Sequence, residues 1–399
     1  MQKTQAAPDV TPMVKPFLAL LLLWLAGSGL RITILAVPPV IPLIHDDLHM
    51  SETQVGILSG LPMALFAGAA IAGSLLIARF GARAALVAGL LFCGFGSALR
   101  GIGPSLTMLY IGTIVTAFGV AVMQPSLPPL VRAWVPQRIG FATAVYTNGL
   151  LVGEILPVAT TIPLLLPLID SSWRLSFVFW GIPVLMIAAV LMAYAPRQPA
   201  TALATNRRWL PDFSNPLIWR IGLLLGGVNS MYFSLNGFLP DYLTHIGRPD
   251  LIHGSLTALN ICQLPASLLL LATADWMVRT AWSYVICGTA CLAAIFAIVL
   301  LGGVWVIIGT MILGFFAAGV LVLVLALPPL ISPAEDVHRV SAGMFTISYS
   351  CAVVIPVLSG VIWDLTGIPA TAFIPMGICA LAVIGLAPGI VLREKRTAS

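Results

Sequence analysis

Long apolar runs, separated by short breaks rich in glycine, proline and charged residues, make up most of this 399-residue chain. Each run has about 20 residues or more, the length that an α-helix needs to cross the hydrocarbon core of a bilayer. The pattern predicts twelve membrane-spanning helices, over residues 17–44, 53–77, 84–103, 105–131, 140–168, 173–194, 217–243, 251–274, 281–301, 304–331, 340–363 and 368–391. We therefore expect an all-α membrane protein whose outer surface faces lipid.

The composition agrees with this expectation, because 59% of the residues are hydrophobic and only 8% are charged. A soluble domain carries about 25% charged residues, so this surface is not expected to face water. The formal net charge of +5 does not indicate a nucleic-acid partner, since the basic residues stand singly between apolar runs. The partners we expect are a small-molecule solute and the lipid bilayer, with the protein as a monomer.

Neither the cysteines nor the histidines predict a metal site, and no motif predicts a cofactor. The six cysteines fall within apolar runs and lack CxxC spacing, as expected of small buried side chains. The histidines and aspartates of residues 45–49 form a cluster after the first span. We interpret that cluster as a solvated turn on the outer side of the membrane.

Lysines and arginines are distributed unevenly between the two sides of the predicted bundle. With the N-terminus in the cytoplasm, fifteen of the nineteen fall in cytoplasmic segments and three, Arg100, Arg174 and Arg248, fall in outer segments. The remaining one, Arg31, lies inside the first span. Because cytoplasmic loops carry the excess of positive charge, the distribution predicts an even number of spans with both termini cytoplasmic, in a bacterial inner membrane.

Two segments repeat at an offset of 200 residues: AFGVAVMQPSLPPLV at 117–131 and AAGVLVLVLALPPLI at 317–331. They share Gly-Val and Pro-Pro-Leu at the same spacing, lie in spans four and ten, and run in the same direction. This predicts two parallel six-helix bundles, the organisation of the major facilitator fold. We expect the bundles over residues 1–194 and 217–399, with residues 195–216 as a cytoplasmic linker.

Two formally charged residues, Arg31 and Glu154, are predicted deep inside spans one and five. Each lies about 14 residues above the cytoplasmic start of its helix, which places both about 21 Å up, near the bilayer midplane. They are expected to pair or to line one cavity. One interpretation is that Arg31 binds an anionic or electron-rich substrate while Glu154 balances it or carries a proton. The alternative is a static ion pair that holds the two spans together.

Uncharged polar residues form a second set of substrate-binding candidates within the spans. Asn229, Tyr232 and Asn236 follow one another at i, i+3 and i+7, so they share one helical face. Amides both donate and accept hydrogen bonds, which suits a small planar solute; the alternative is hydrogen bonding between helices. The full set is Gln124, Tyr146, Asn148, Asn229, Tyr232, Asn236, Asn260, Gln263 and Tyr349.

Four stretches carry a resemblance to a known family: GSGLRITILAVPPVIPLI at 27–44, the segments 57–76 and 97–138, and GGVNSMYFSLNGFLPDYL at 226–243. Together they resemble the cyanate porter family of the major facilitator superfamily, which includes nitroimidazole transporters. The family's span-one arginine falls on Arg31, and its span-seven Asn and Tyr fall on Asn229 and Tyr232. The resemblance implies a transporter of small anions or polar heterocycles, driven by an ion gradient or by the gradient of the solute.

The chain departs from the family pattern at three positions. Gly29 and Ile32 stand where family members often carry Asn and Pro around the arginine, and Ala78 stands where the superfamily signature expects an acidic residue before Arg79. The first two positions bear on the identity of the substrate. The third bears on any charge pair at the turn after span two.

These features favour a carrier with one central site between two bundles, worked by alternating access. Because the sequence has no GxxxxGK[ST] motif, gradients are expected to supply the energy. We do not expect an enzyme, since only Arg31 and Glu154 are charged at the predicted depth. A channel or receptor fits the parallel repeat less well. Within carriers the alternative is a broad-specificity drug efflux protein of the same fold.

Overall fold

The apolar runs form helices in the computed structural model, which describes residues 16–50, 52–103, 105–196 and 209–390. In these ranges the helical segments are α1 (Pro16–Leu48), α2 (Glu52–Phe80), α3 (Ala82–Ile102), α4 (Leu106–Trp134), α5 (Pro136–Leu168), α6 (Trp173–Tyr194), α7 (Pro216–His245), α8 (Pro249–Met277), α9 (Ala281–Leu301), α10 (Val304–Ile331), α11 (Val337–Thr366) and α12 (Pro369–Leu386). The predicted spans agree with these bounds to within a few residues. The predicted basic termini and residues 197–208 of the predicted linker lie outside the described ranges.

Eleven of the described helices are long and apolar enough to cross a membrane. The remaining one, α7, has 30 residues and is therefore also long enough. Its mean hydropathy is lower because Asn229, Tyr232 and Asn236 interrupt its apolar sequence. The polar residues that made α7 a candidate binding helix thus also make it less apolar than the other helices.

The helices pack mainly within two sets, α1–α6 and α7–α12, which we call the first and second halves. In the first half α3 packs on α4 and α6, and α1 packs on α5. In the second half α7 packs on α11 and α12, and α10 packs on α8 and α9. The halves meet where α2 packs on α11 and α5 packs on α8. The repeated Pro-Pro-Leu segments at the ends of α4 and α10 also touch each other.

Glycines on α5 allow its backbone to touch that of α1. A Cβ atom on Gly149 would lie 2.1 Å from the Trp24 carbonyl oxygen, and one on Gly153 would lie 2.3 Å from that of Ser28. Any larger residue at either position would push the two helices apart. This close approach brings Arg31 of α1 and Glu154 of α5 to the same place in the bundle.

Three candidate polar residues lie where helices are interrupted. In α1 the helix stops at Gly29 and resumes at Ile32, which leaves Arg31 with φ −120° at the break. Gln124 begins a short 3-10 segment in α4, and Gln263 begins the second part of α8. Irregular backbone at membrane depth is tolerated where it is buried in protein or borders a cavity. Each of the three residues lines at least one of the two cavities described below.

Arg100 differs from its expected position in an outer segment. It lies in the last turn of α3, yet its side chain is 0% exposed and packed inside the first half. Helical side chains point back toward the N-terminus of their helix, so this one returns into the bundle from near the helix end. The described residues thus include a third buried charge beside Arg31 and Glu154, which corrects the expectation of two.

Candidate functional site

A small cavity of about 30 Å³ lies between the two halves beside Arg31. A second cavity of about 20 Å³ adjoins it and shares Arg31, Leu150, Asn229 and Leu321 with the first. Side chains of α1 and α5 line one side of the first cavity, and side chains of α7, α8 and α10 line the other. A solute here would touch both halves at once.

Arg31 and Glu154 form an ion pair at this cavity, with Nε and Oε1 3.2 Å apart. Their side chains are 10% and 17% exposed, and both line the first cavity. The two expectations for this pair, direct pairing and a shared cavity, thus hold together. Because this contact is made by Nε, neither terminal nitrogen of the guanidinium takes part in it.

Tyr349 of α11 approaches Arg31 from the second half. Its hydroxyl accepts a hydrogen bond of 2.7 Å from Gln124 Nε2 and a long one of 3.5 Å from Arg31 Nη2. Since the hydroxyl accepts both bonds, its own proton remains available for a third partner. Tyr349 therefore links Arg31 and Gln124 of the first half to the second half.

Aromatic rings cover one side of this polar group. The Phe66 ring centroid lies 6.0 Å from the Arg31 guanidinium carbon and 5.1 Å from the Tyr349 ring, which it meets edge-on. Phe345 stacks on Tyr349 at 6.3 Å with an interplanar angle of 20°. Flat rings beside a guanidinium suit a planar solute, because both offer π-faces for stacking.

The polar stripe of α7 divides into residues that line the cavities and residues behind them. Asn229 and Tyr232 line the first cavity together with Gln263 of α8. Asn229 donates to Ser348 Oγ at 2.9 Å, and the Tyr232 hydroxyl donates to Asn260 Oδ1 at 2.6 Å. Asn260 and Asn236 are joined in turn by a 3.4 Å hydrogen bond. These two amides line neither cavity and hold Tyr232 in place.

The two candidates on α5 also have different surroundings. Tyr146 is 2% exposed and lines the second cavity. Asn148 lines neither cavity; it accepts a hydrogen bond from Trp24 Nε1 at 3.0 Å and donates one to Ser267 Oγ at 2.9 Å. Asn148 thus joins α1, α5 and α8, which is the interhelical role weighed for such amides.

One end of the bundle, which we call the arginine-rich end, carries Arg79, Arg83, Arg132, Arg138 and Arg279. There Asp275 of α8 accepts a hydrogen bond of 3.1 Å from the Phe141 backbone N–H in the first turn of the α5 helix. The same carboxylate lies 3.6 Å from Arg138 Nε. A carboxylate at a helix N-terminus caps free N–H groups and complements the helix dipole.

A second contact at the arginine-rich end joins the repeated segments, because Arg132 donates to the Ser332 carbonyl oxygen. These polar contacts between the halves lie on the arginine-rich side of Arg31. Ala78, where an acidic residue was expected, lies near the end of α2, and Asp275 lies near the end of α8 in the second half. The halves are therefore held together at this end, below the cavity.

The histidine and aspartate cluster of residues 45–49 lies mostly in the last turn of α1 instead of a turn. Asp47 pairs with Arg174 at 2.8 Å and accepts a 3.1 Å hydrogen bond from Trp173 Nε1. In the described part of the chain no group of three or more His, Cys, Asp or Glu is placed to hold a metal ion.

Sequence reasoning missed the aromatic and small residues that complete the site. Phe345 lies four residues before Tyr349 on one helical face, so that spacing is a usable signal. Phe66 and Ser348 carry none, because a phenylalanine or serine in an apolar span is most often an ordinary packing residue. Their contribution depends on how α2 and α11 pack, which a single sequence does not reveal.

The chain is similar to known transporters in sequence and in fold. Residues 19–356 match the family model of the Major Facilitator Superfamily. The cyanate transport protein CynX of Escherichia coli is 26% identical over 92% of this chain and 94% of its own length. A 2-nitroimidazole transporter of Escherichia coli is 28% identical over 58% of this chain and 59% of its own.

Among solved structures, the proton:xylose symporter XylE superposes with a TM-score of 0.73. The match covers 94% of this chain and 96% of that one, at 16% sequence identity. At this identity the likeness concerns the fold alone, which is the all-helical fold of this superfamily.

Proposed function

The chain belongs to the Major Facilitator Superfamily, and we propose that it is a secondary active transporter of a small anionic or polar heterocyclic solute. The observation that carries this proposal is the position of Arg31. Its buried guanidinium faces a cavity to which both halves contribute side chains. A cation held there without a function would be costly, because charges within a bilayer are expensive to bury.

The donor and acceptor groups of the site define the chemistry of the solute. The terminal nitrogens of Arg31 and the Tyr349 hydroxyl proton offer donors to an anion or a nitro group. Gln124 Oε1 is buried and has no hydrogen-bond partner among the described residues. A heterocycle with an N–H group would satisfy it, while its ring packs near Phe345, which lines the same cavity. The names of the two similar transporters refer to cyanate and 2-nitroimidazole, which are therefore our first two probes.

In the proposed membrane arrangement all twelve helices cross a bacterial inner membrane as two parallel six-helix bundles. The polar stripe of α7 faces the protein interior, which allows that helix to span despite its lower apolarity. The arginine-rich end lies in the cytoplasm together with both termini, following the positive-inside rule. The contacts of Asp275 and Arg132 then close the cytoplasmic side, and alternating access requires that they open.

Glu154 has a proposed role in coupling. It balances Arg31 while the site is empty, and it takes up a proton when an anionic solute replaces it at the guanidinium. Glu154→Gln should then remove the pH dependence of solute uptake into proteoliposomes and leave solute exchange intact. Proton flux preserved in this variant would instead favour a static ion pair.

The proposed function is tested by a thermal-shift screen of the purified protein. Cyanate, 2-nitroimidazole and related small anions and heterocycles are compared with tetraphenylphosphonium, a bulky apolar cation. We expect the small solutes to raise the unfolding temperature, and those that do so to enter proteoliposomes along an imposed gradient. Stabilisation by tetraphenylphosphonium alone would contradict the proposal and favour a drug efflux carrier.

A further inference from the structure

Arg100 is a buried cation that has no part in the site described above. Its guanidinium donates through Nη2 to the Thr33 carbonyl oxygen at 2.9 Å and to Thr116 Oγ1 at 3.2 Å. The guanidinium carbon lies 4.9 Å from the centre of the Phe177 ring. Carbonyl, hydroxyl and ring are all uncharged groups. Nε and Nη1 have no hydrogen-bond partner among the described residues.

The hydrogen bond from Arg100 satisfies the Thr33 carbonyl, which the interruption of α1 leaves without its usual helical partner. In a regular helix the Thr33 carbonyl would accept from the N–H of Val37. The Val37 N–H bonds to Ile34 O at 3.3 Å instead, just before Pro38 and Pro39 interrupt the helix. The Thr33 carbonyl is thus freed at membrane depth, where an unpaired backbone group is costly. Arg100 supplies the missing donor.

The surrounding residues are shaped to hold Arg100 in this position. A Cβ atom on Gly112 would lie 2.6 Å from Arg100 Cγ, so only glycine leaves room for the side chain. Thr116 Oγ1 accepts from Arg100 and donates to the Gly112 carbonyl at 2.8 Å, which fixes its orientation. Residues of α3 and α4 therefore hold the guanidinium against the side of α1 that faces the inside of the first half.

Arg31 and Thr33 are two residues apart, so their side chains point in different directions around α1. Arg31 faces the cavity between the halves, while the Thr33 carbonyl is bound from inside the first half. A donor that fixes Thr33 also fixes the short segment Leu30–Leu35, which lacks a continuous helix on either side.

We propose that Arg100 is a positioning residue for Arg31. Through the Thr33 carbonyl it holds the interrupted segment of α1 so that the Arg31 guanidinium faces the solute. This inference rests on the proposed function for its effect on solute affinity. Its effect on the α1 segment does not depend on which solute is transported.

Hydrogen–deuterium exchange of the purified full chain tests the inference, together with titrations of cyanate and 2-nitroimidazole. In Arg100→Met the amides of residues 30–37 should exchange about tenfold faster or more, since a hydrogen bond from a charged donor is lost. The dissociation constant of the solute that binds the native protein should rise by about the same factor. Arg100→Lys keeps the charge and one donor. Its exchange rates at residues 30–37 and its dissociation constant should therefore stay close to those of the native protein.

Ser97→Ala is the matched control, because Ser97 Oγ lies on the same helix and donates to Phe177 O of α6 at 2.8 Å. It should lower the unfolding temperature without changing exchange at residues 30–37 or solute affinity. Equal acceleration across α3, α4 and α6 in Arg100→Met would assign Arg100 a general structural role and overturn the proposal.

If Arg100→Met does not fold, Thr116→Val, which removes one acceptor of Arg100, decides the matter. It should accelerate exchange at residues 30–37 more than in α6, and unchanged exchange there would overturn the proposal. If neither probe binds the native protein, the proposed function fails at that point. The exchange measurement still decides whether Arg100 positions the segment.

Discussion

The first half of the bundle buries two arginines whose surroundings differ. Arg31 lies at the interface of the halves, faces two adjoining cavities and has the carboxylate of Glu154 at 3.2 Å. Arg100 lies within one half, lines none of the cavities described above, and has a carbonyl, a hydroxyl and a ring as partners. The same side chain thus lines cavities between the halves in one place and binds the backbone in the other.

The difference shows what makes a buried arginine a candidate binding residue. Burial is common to both, so burial alone does not identify function. At Arg31 the charge is balanced by Glu154, Nη2 makes one long hydrogen bond to Tyr349, and the residue lines both cavities, so an arriving acceptor would meet a charged donor that is already in place. At Arg100 the donors that are used point at the protein itself.

The largest effect that this comparison predicts is on solute binding by Arg31→Ala. The dissociation constant for the bound probe should rise about 100-fold or more, because at least two charged hydrogen bonds are lost. The protein should remain folded and monodisperse, as judged by gel filtration. Arg174→Ala, which removes an arginine paired with Asp47 near the end of the bundle, should bind as the native protein does; unchanged binding by Arg31→Ala would refute the assignment.

A smaller effect is expected for Tyr349→Phe. Loss of the hydroxyl removes the group that joins Gln124 and Arg31 across the halves, and it removes one donor to the solute. Affinity measured by isothermal titration should fall about tenfold. Phe345→Leu, a change in the ring stacked on Tyr349, serves as the control for packing. If it weakens binding more than Tyr349→Phe, the hydroxyl is not the important contact.

Glu154→Gln is expected to act in the opposite direction on an anion. Removal of the negative charge leaves Arg31 unbalanced, so the affinity for cyanate should increase about fivefold, or about 1 kcal/mol. A neutral heterocycle should change less, because it does not compete with the carboxylate for charge. Titrations of both probes against this variant check the difference, and weaker cyanate binding would mean that Glu154 orients Arg31 instead of competing with the anion.

The smallest effect concerns an amide that is buried among helices but outside the cavities. Asn148→Ala removes hydrogen bonds to Trp24 and Ser267, and it should lower stability by about 0.6 kcal/mol per bond. Equilibrium binding should stay within about twofold of the native value. Asn229→Ala, at the cavity, should weaken binding more than Asn148→Ala does. The reverse order would place the solute at the α1–α5–α8 contact.

Much of this architecture could be predicted from the sequence, because the bilayer imposes a length and an apolarity on each helix. The depth of Arg31 and Glu154 in spans one and five, which are expected to run in the same direction, was enough to predict that they lie near one level. The depth of a residue follows from its position along the helix, because each residue adds the same rise. For that reason the sequence predicted either a pair or a shared cavity, while the choice between them depended on helix packing.

The remainder of the site depends on rotation and packing, which residue spacing does not supply. Asn148 and Tyr146 are two residues apart and were indistinguishable as candidates, yet only Tyr146 lines a cavity. Arg100 was assigned to an outer segment from its nearness to a helix end, because the backward direction of its side chain depends on the space left by Gly112. Phe66 joins the site through the packing of α2 on α11, which the sequence does not encode locally.

The most direct test of the central claim is an experimental structure of the protein with its bound solute, using the probe that raises the unfolding temperature most. The account predicts that an acceptor atom of that probe lies within hydrogen-bond distance of the Arg31 guanidinium, in the cavity between the halves. A probe bound outside this cavity, or bound in the same pose in Arg31→Ala, would contradict it.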